Sequence, residues 1–220
     1  MITFTHVSKY YDNQPVLRDI TFTLPKGEMA YITGPTGAGK STLLKLIYHA
    51  EKPDEGDIVV GDRQLQSLKT SRISLLRRDI GIVFQDFKLL NNFTIFDNVA
   101  LALRIRGINE KDIRSVVSET LKRVHLRHKV DSYPQSLSGG EQQRVVIARA
   151  FVAEPPIILA DEPTGNLDPN TATQIIRLFL DINLRGATIL IATHNRELFK
   201  YTGKRVLKLD SGNLIGEETG

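Results

Sequence analysis

The chain has 220 residues, of which 41% are hydrophobic and 25% are charged, and its net charge is +4. This length fits one globular domain, and the lack of cysteine excludes disulfides and thiolate metal sites. Because no nucleic-acid motif and no interleaving of aromatic and basic residues accompanies the positive charge, we expect a solvated basic surface and no nucleic-acid partner.

The apolar residues predict alternating strands and helices along the chain. Strand patterns cover Ile2–Val7, Ile20–Leu24, Met29–Thr33, Ile58–Val60, Ile80–Phe84, Ile157–Ala160, Ala187–Ala192 and Val206–Leu209. Helical patterns cover Lys40–Tyr48, Ile95–Arg106, Glu110–Val124, Gly139–Ala153, Thr171–Leu184 and Arg196–Thr202.

The order of these elements predicts one α/β domain over residues 1–220. Residues 87–153 contain helix patterns and no strand, so we expect a helical subdomain inserted in the α/β core. Short early strands joined by turns at Asp12–Asn13 and Pro25–Gly27 suggest an antiparallel β subdomain beside that core. The residues Gly216–Gly220 have the composition of a polar tail.

A phosphate-binding loop follows the strand Met29–Thr33. Its sequence matches G-x-x-x-x-G-K-[ST] in full, and a helix pattern follows it as the motif requires. Glycines let backbone N–H groups converge on one anion, while a lysine adds charge at the β- and γ-phosphates and a serine hydroxyl can bind Mg²⁺. The candidate ATP-binding residues are Gly34, Pro35, Thr36, Gly37, Ala38, Gly39, Lys40, Ser41 and Thr42.

Two carboxylates follow a buried strand pattern at Ile157–Ala160. They are Asp161 and Glu162, and parallel sheets place their chemistry at this end of the strands. Asp161 is a candidate Mg²⁺ ligand, and Glu162 is a candidate general base for the water that attacks the γ-phosphate. An apolar strand ending in two acids is commonplace by itself, so the phosphate-binding loop upstream favours the catalytic interpretation.

The sequence LSGGEQ at Leu137–Gln142 resembles the signature motif of the ABC ATPases. Locally, Ser138 and Glu141 have the spacing of a capping box, but a capping box requires neither Gly139 nor Gly140. The resemblance implies a P-loop NTPase fold with a RecA-like core. It also implies a homodimer, in which these four residues of one copy contact the ATP held by the other copy.

Other motifs of this family occur in the family's order along the whole chain. The resemblance implies that Gln85 contacts Mg²⁺ and the attacking water, and that His194 contacts the γ-phosphate. It also implies that Asp168 lies at the dimer interface and that Tyr11 stacks on the adenine. The expected cofactors are therefore ATP and Mg²⁺.

The sequence Gly165-Asn166-Leu167-Asp168 resembles the group of lipoprotein-release, macrolide-efflux and cell-division ATPases. Within this group, five stretches look most like the cell-division ATPases: Leu43–Ile47, Leu76–Gln85, Asp86–Leu90, Phe96–Leu101 and Ala160–Asp168. This resemblance implies an integral membrane partner that controls peptidoglycan hydrolases. Because no apolar run approaches the ~20 residues that cross a bilayer, we expect a cytoplasmic protein, peripheral on the inner face of the cell membrane. Two alternatives remain: a transporter ATPase of the release or efflux type, and a soluble ABC protein that acts on nucleic acid or ribosomes.

The segment after Gln85 carries many apolar residues. Either they pack the helical subdomain, or they form a surface on which a short helix of the membrane partner docks, as the resemblance implies. These residues are Phe87, Leu89, Leu90, Phe93 and Phe96.

Overall fold

The computed structural model describes residues 1–220 and contains ten strands and six α-helices. The strands are β1 (Ile2–Tyr11), β2 (Gln14–Leu24), β3 (Met29–Thr33), β4 (Glu55–Val60), β5 (Arg63–Gln64), β6 (Ile80–Val83), β7 (Ile157–Asp161), β8 (Thr188–Ala192), β9 (Arg205–Asp210) and β10 (Asn213–Thr219). The helices are α1 (Lys40–Ile47), α2 (Thr70–Arg78), α3 (Ile95–Ile105), α4 (Glu110–Arg123), α5 (Gly139–Phe151) and α6 (Pro169–Leu184).

A six-stranded sheet carries the core, in the order β10-β9-β3-β8-β7-β6. Strand β3 pairs in parallel with β8 and β9, and β7 pairs in parallel with β6 and β8. All five residues of β3 and of β8 are buried, as expected for strands that are covered on both faces. The carboxyl ends of these strands share one edge, and the loops that follow β3, β6, β7 and β8 emerge there.

The second sheet is antiparallel, in the order β2-β1-β4-β5. A tight turn joins β1 to β2, because Asp12 and Asn13 adopt φ values of 49° and 61°, the left-handed conformation that two-residue hairpins need. Its inner side chains join α1 and one face of the parallel sheet in a cluster of 25 buried residues. This shared core fixes the hairpin beside the loop that follows β3.

Between β6 and β7 the chain contains only helices and short turns. Helix α3 packs against α4 and α5, and α5 also contacts β6. A cluster of 30 buried residues links these helices to the opposite face of the parallel sheet. No helix in the structure combines the length and the apolarity required to cross a membrane.

One helix was missed and two local predictions were wrong. Thr70–Arg78 forms α2, which the sequence analysis missed because only Leu76 of this helix is buried. The expected polar tail belongs to β10, which pairs with β9 and is stabilised by ion pairs from Arg205 to Glu217 and from Lys208 to Glu218. The expected helix at residues 196–202 is limited to one 3₁₀ turn, Arg196–Leu198.

Candidate active site

The phosphate-binding loop lies between β3 and α1, and its glycines are required by its shape. Gly37 and Gly39 have φ values of 84° and 103°, which side chains other than glycine rarely adopt. A Cβ on Gly34 would lie 2.0 Å from the carbonyl oxygen of Leu209 in β9, so a larger residue would displace backbone. The loop therefore curls tightly around the N-terminus of α1, where backbone N–H groups favour an anion.

The first residue of α1, Lys40, bends back over the loop. Its Nζ donates hydrogen bonds to the carbonyl oxygens of Gly34 at 2.8 Å and Pro35 at 3.0 Å, and lies 3.9 Å from Oε1 of Glu162. The side chain is only 8% exposed. A phosphate can take over these contacts, because charge-assisted hydrogen bonds are stronger than bonds to neutral carbonyls.

Asp161, at the end of β7, has a buried carboxylate oxygen without a partner. Its Oδ1 makes no hydrogen bond. Burial raises the pKa of Asp161, the nearby charge of Glu162 acts in the same direction, and a hydrogen bond with the Ser41 hydroxyl opposes them. An unsatisfied carboxylate oxygen beside a hydroxyl suits Mg²⁺, which prefers oxygen ligands. The two residues thus fit the cation that the sequence analysis assigned to them.

Glu162 and His194 are joined by two contacts. Oε1 of Glu162 accepts a hydrogen bond from the backbone N–H of His194 at 3.0 Å and lies 2.8 Å from its ring Nδ1. Glu162 has a left-handed φ of 45°, and its own N–H donates to the carbonyl of Ala192 at 2.8 Å. Such a conformation costs energy in a residue other than glycine, and here it directs the carboxylate toward Lys40 and His194.

A cavity of about 320 Å³ brings most of these groups together. Val16, Thr36, Gly37, Gly39, Lys40, Ser41, Thr42, Gln85, Glu162 and His194 line it. Gly34 and Pro35 line an adjacent cavity that also includes His194, and Ala38 is buried. Asp161 does not line the cavity, although Ser41 links it to the loop. The remaining predicted site residues, Tyr11, Ser138–Glu141 and Asp168, do not line it either.

The signature segment forms the N-terminus of α5. Ser138 and Glu141 make the predicted capping box: the Ser138 N–H donates to Glu141 Oε2 at 2.8 Å, and the Glu141 N–H donates to Ser138 Oγ at 3.3 Å. The hydrogen bond from the Ser138 backbone also lowers the pKa of Glu141. This helix N-terminus does not line the cavity around Lys40 in the same chain.

The sequence analysis attributed both signature glycines to a second nucleotide, and for Gly140 the structure adds a reason within the chain. A Cβ on Gly140 would lie 2.6 Å from Cγ2 of Thr171, so the absence of a side chain lets α5 and α6 approach closely. At Gly139 the nearest atom, in Leu167, would be 3.8 Å away, which leaves room for a side chain. Only Gly139 remains without an explanation inside the chain.

Tyr11 and Asp168 lie at the ends of their elements. Tyr11 is the last residue of β1, and 37% of its surface is exposed. Asp168 is the N-cap of α6, where its Oδ1 accepts hydrogen bonds from the N–H groups of Asn170 and Thr171. Both are accessible, but neither contacts the groups around Lys40.

The apolar segment after Gln85 is divided between core and surface. Phe87, Leu89 and Phe96 are half-buried against the core that includes α3 and α5. Leu90 and Phe93 remain exposed, by 38% and 45%. Of the five residues considered for docking, therefore, only these two are available.

A larger groove, of about 640 Å³, lies between α2, β6, α3 and α5. Its lining contains no acidic residue but four arginines, namely Arg77, Arg78, Arg106 and Arg149. Three of them donate hydrogen bonds only to backbone carbonyls, and none of the four forms a salt bridge. The sequence analysis missed this groove along with α2; the apolar spacing of Ile73 and Leu76 beside Arg77 and Arg78 was the available signal.

Comparison with known proteins agrees with this site. Residues 17–165 match the family model described as "ABC transporter". The chain is 46% identical to the cell division ATP-binding protein FtsE of Bacillus subtilis (all of this chain, 96% of that protein). It is 48% identical to the protein of the same name from Escherichia coli K12 (98% of both).

Solved structures show the same fold. The dimeric structure of MJ0796, a bacterial ABC transporter cassette, has a TM-score of 0.91 and 36% identity, covering 100% of this chain and 98% of that one. A dimeric post-hydrolysis state of the same cassette, bound to ADP and phosphate, has a TM-score of 0.91 and 35% identity over the same shares. The expected fold, an α/β nucleotide-binding domain with an antiparallel sheet, is confirmed. The chain therefore belongs to the ABC transporter family and is one of its ATPases.

Proposed function

We propose that two copies of this chain enclose two ATP molecules and drive a conformational change in an integral membrane subunit, as an FtsE partnered by an FtsX-like protein in cell division. The observation that carries the enzymatic part is the cavity in which Lys40, Glu162 and His194 meet. Full-length relatives named FtsE support the cell-division role. They do not favour the lipoprotein-release or efflux alternative.

The geometry supports the following catalytic roles. Lys40 exchanges its bonds to the loop carbonyls for the β- and γ-phosphates. Glu162 accepts a proton from the water that attacks the γ-phosphate, and His194 holds the Glu162 carboxylate in place. Gln85 lines the same cavity and orients that water.

Ser41, Asp161 and Gln85 are the residues that would hold Mg²⁺. When bound, the cation supplies positive charge to the phosphate oxygens. The buried, unpartnered Oδ1 of Asp161 supports this assignment within the chain. Asp161 acts by binding and is not proposed to transfer a proton.

The position of the signature supports a homodimer. Ser138 and Gly140 lie at a helix N-terminus suited to an anion, yet they do not line the cavity of their own chain. A second copy related by two-fold symmetry completes both sites at once. The dimeric structures of the similar cassette support this arrangement. Gly139, Glu141 and Asp168 belong to the same interface, and Tyr11 stacks on the adenine.

The membrane subunit docks on the segment after Gln85, which borders the four-arginine groove because Arg149 donates hydrogen bonds to the carbonyl oxygens of Phe87 and Lys88. Leu90 and Phe93 are exposed on the segment that leads from Gln85 toward the helices. Binding of the partner and binding of the nucleotide therefore both act on the conformation of this one segment. The ATPase is accordingly peripheral on the cytoplasmic face of the cell membrane. Across that membrane, the FtsX-like subunit would control peptidoglycan hydrolases.

A co-purification experiment with an FtsX-like subunit tests the partner. Leu90→Glu places a charge on the exposed apolar segment, whereas Leu184→Glu makes the same change at a residue that is 84% exposed at the end of α6. We expect Leu90→Glu to melt like wild type and to bind ATP, but to lose the membrane subunit, while Leu184→Glu retains it. A folded Leu90→Glu protein that co-purifies at the wild-type level would place the docking surface elsewhere.

A further inference from the structure

The end of β1 contains a nearly buried ammonium group that the catalytic chemistry does not use. The Lys9 side chain is 11% exposed, and its Nζ lies 3.2 Å from Oδ2 of Asp54. The same Nζ lies 5.4 Å from the centroid of the Tyr11 ring. The ammonium is thus held between a carboxylate and an aromatic ring.

Asp54 also fixes the backbone between these two residues. Its Oδ2 accepts a hydrogen bond from the Tyr10 N–H at 2.7 Å, and its own N–H donates to the carbonyl of Ser8 at 3.0 Å. The bond from Tyr10 is the main cause that lowers the pKa of Asp54. Strand β1 is irregular here, with register shifts on both sides of Lys9, so ladder pairing alone does not determine the direction of Tyr11.

The hairpin that carries Tyr11 borders the phosphate site. Val16, on the other strand of the hairpin, lines the cavity around Lys40, and its carbonyl oxygen would lie 2.8 Å from a Cβ on Gly39. Tyr11 keeps 37% of its surface exposed while Lys9 lies against its ring. A ring fixed by a cation, yet still accessible, can stack a second aromatic group.

We infer that Lys9 and Asp54 are positioning residues that hold the Tyr11 ring as a stacking platform for the nucleobase. This inference rests on the proposed role of Tyr11 in binding adenine. Asp54 holds the Lys9 ammonium and the backbone of Tyr10, and the ammonium holds the ring. Neither residue lines the cavity around Lys40, so their contribution concerns the base and not the phosphate chain.

Titration calorimetry with excess MgCl₂ tests this, using ADP and inorganic pyrophosphate as ligands. Both contain a diphosphate, and only ADP contains a base. Lys9→Met keeps the apolar stem and removes the charge, so we expect ADP affinity to fall about two- to fivefold with pyrophosphate affinity unchanged. Lys9→Arg keeps a cation over the ring and should restore ADP affinity. Asp54→Asn keeps an acceptor for the Tyr10 N–H but loses the charge that holds Lys9, so it should weaken ADP as well.

A double-mutant cycle with Tyr11→Ala decides whether Lys9 acts through the ring. Lys9→Met should cause no further loss of ADP affinity in the Tyr11→Ala background, and thermal melting verifies folding. Equal weakening of ADP and pyrophosphate by Lys9→Met, or additive losses in the cycle, would overturn the inference. If Tyr11→Ala weakens ADP and Lys9→Met does not, the inference alone is wrong. If Tyr11→Ala leaves ADP binding unchanged, the role of Tyr11 in adenine binding is wrong and the inference falls with it.

Discussion

Replacing Asp161 by asparagine should raise the melting temperature of the nucleotide-free protein and abolish its response to magnesium. Wild-type Asp161 carries a buried oxygen without a hydrogen-bond partner, and burial raises its pKa. Asparagine removes the buried charge, retains an acceptor for the Ser41 hydroxyl, and has nearly the same shape. Without a bound cation, the carboxylate therefore opposes folding.

The size of the effect follows from the cost of burying the charge, because asparagine still leaves a polar atom at the position of the unpartnered Oδ1; a buried ion costs several kcal/mol before its partners offset that cost. We take about 1 kcal/mol, because the Ser41 hydrogen bond and the charges of Lys40 and Lys45 offset part of the cost and Asp161 is only half-buried. For a chain of this length, that corresponds to a rise of roughly 2–4 °C in melting temperature.

The pH dependence has a defined sign. Since the pKa of Asp161 is higher in the folded protein than its ordinary value of 3.8, the folded state binds this proton more tightly than the unfolded state. Above the folded pKa the carboxylate is charged in both states, and the advantage of Asp161→Asn is complete. As the pH falls through the folded pKa toward 3.8, wild type becomes protonated and the difference between the two proteins disappears.

Thermal melting of both proteins in EDTA at several pH values measures this, and melting with ATP and Mg²⁺ provides the second comparison. For wild type, ATP with Mg²⁺ should raise the melting temperature much more than ATP in EDTA does. For Asp161→Asn, the two increases in melting temperature should be equal. If Asp161→Asn melts at or below wild type in EDTA at pH 7.5, burial of this charge is not a cost, and the argument for a cation site at Asp161 loses its physical basis.

Three further predictions concern the catalytic cycle. Glu162→Gln should bind ATP but hydrolyse it at least about 100-fold more slowly, and should elute as a dimer with ATP and Mg²⁺ in size-exclusion chromatography; rapid hydrolysis would exclude Glu162 as the base. Lys40→Ala should lose tight ATP binding or hydrolysis, because the cavity loses its cation at the phosphates; near-normal binding and phosphate release would contradict the assignment. Mixing Lys40→Ala with Ser138→Arg should restore activity that neither variant has alone, and wild-type activity per molecule should fall on dilution; a constant value down to nanomolar protein would refute sites shared between copies.

Local patterns were sufficient to predict the elements around the phosphate-binding loop. The strand before Gly34 and the helix after Lys40 were predicted with nearly correct bounds, because apolar runs and glycines punctuate the chain there. The capping box at Ser138 was likewise predictable, since it depends on residues three positions apart. In each case the determining contacts lie within a few residues of sequence.

Elements that depend on distant partners were not predicted. Strand β10 pairs with β9, and its glutamates form ion pairs with Arg205 and Lys208 of β9, which a polar composition conceals. Helix α2 buries one residue only, so its apolar periodicity is weak. The contact between Glu162 and His194 joins residues 32 positions apart, and no local pattern specifies it. The reason for Gly140 lies in Thr171 on the next helix, which required the packed structure.

The four arginines of the groove have a consequence for handling the protein. Guanidinium groups stay protonated throughout the pH range in which proteins are stable, and the groove has no acidic residue to neutralise them. Its attraction for an anionic partner therefore persists at every working pH and is weakened by ionic strength, because the screening length falls from about 8 Å in 0.15 M salt to about 3 Å in 1 M. A partner segment that binds there through acidic side chains should therefore stay bound in low-salt detergent buffers and be released by a high-salt wash.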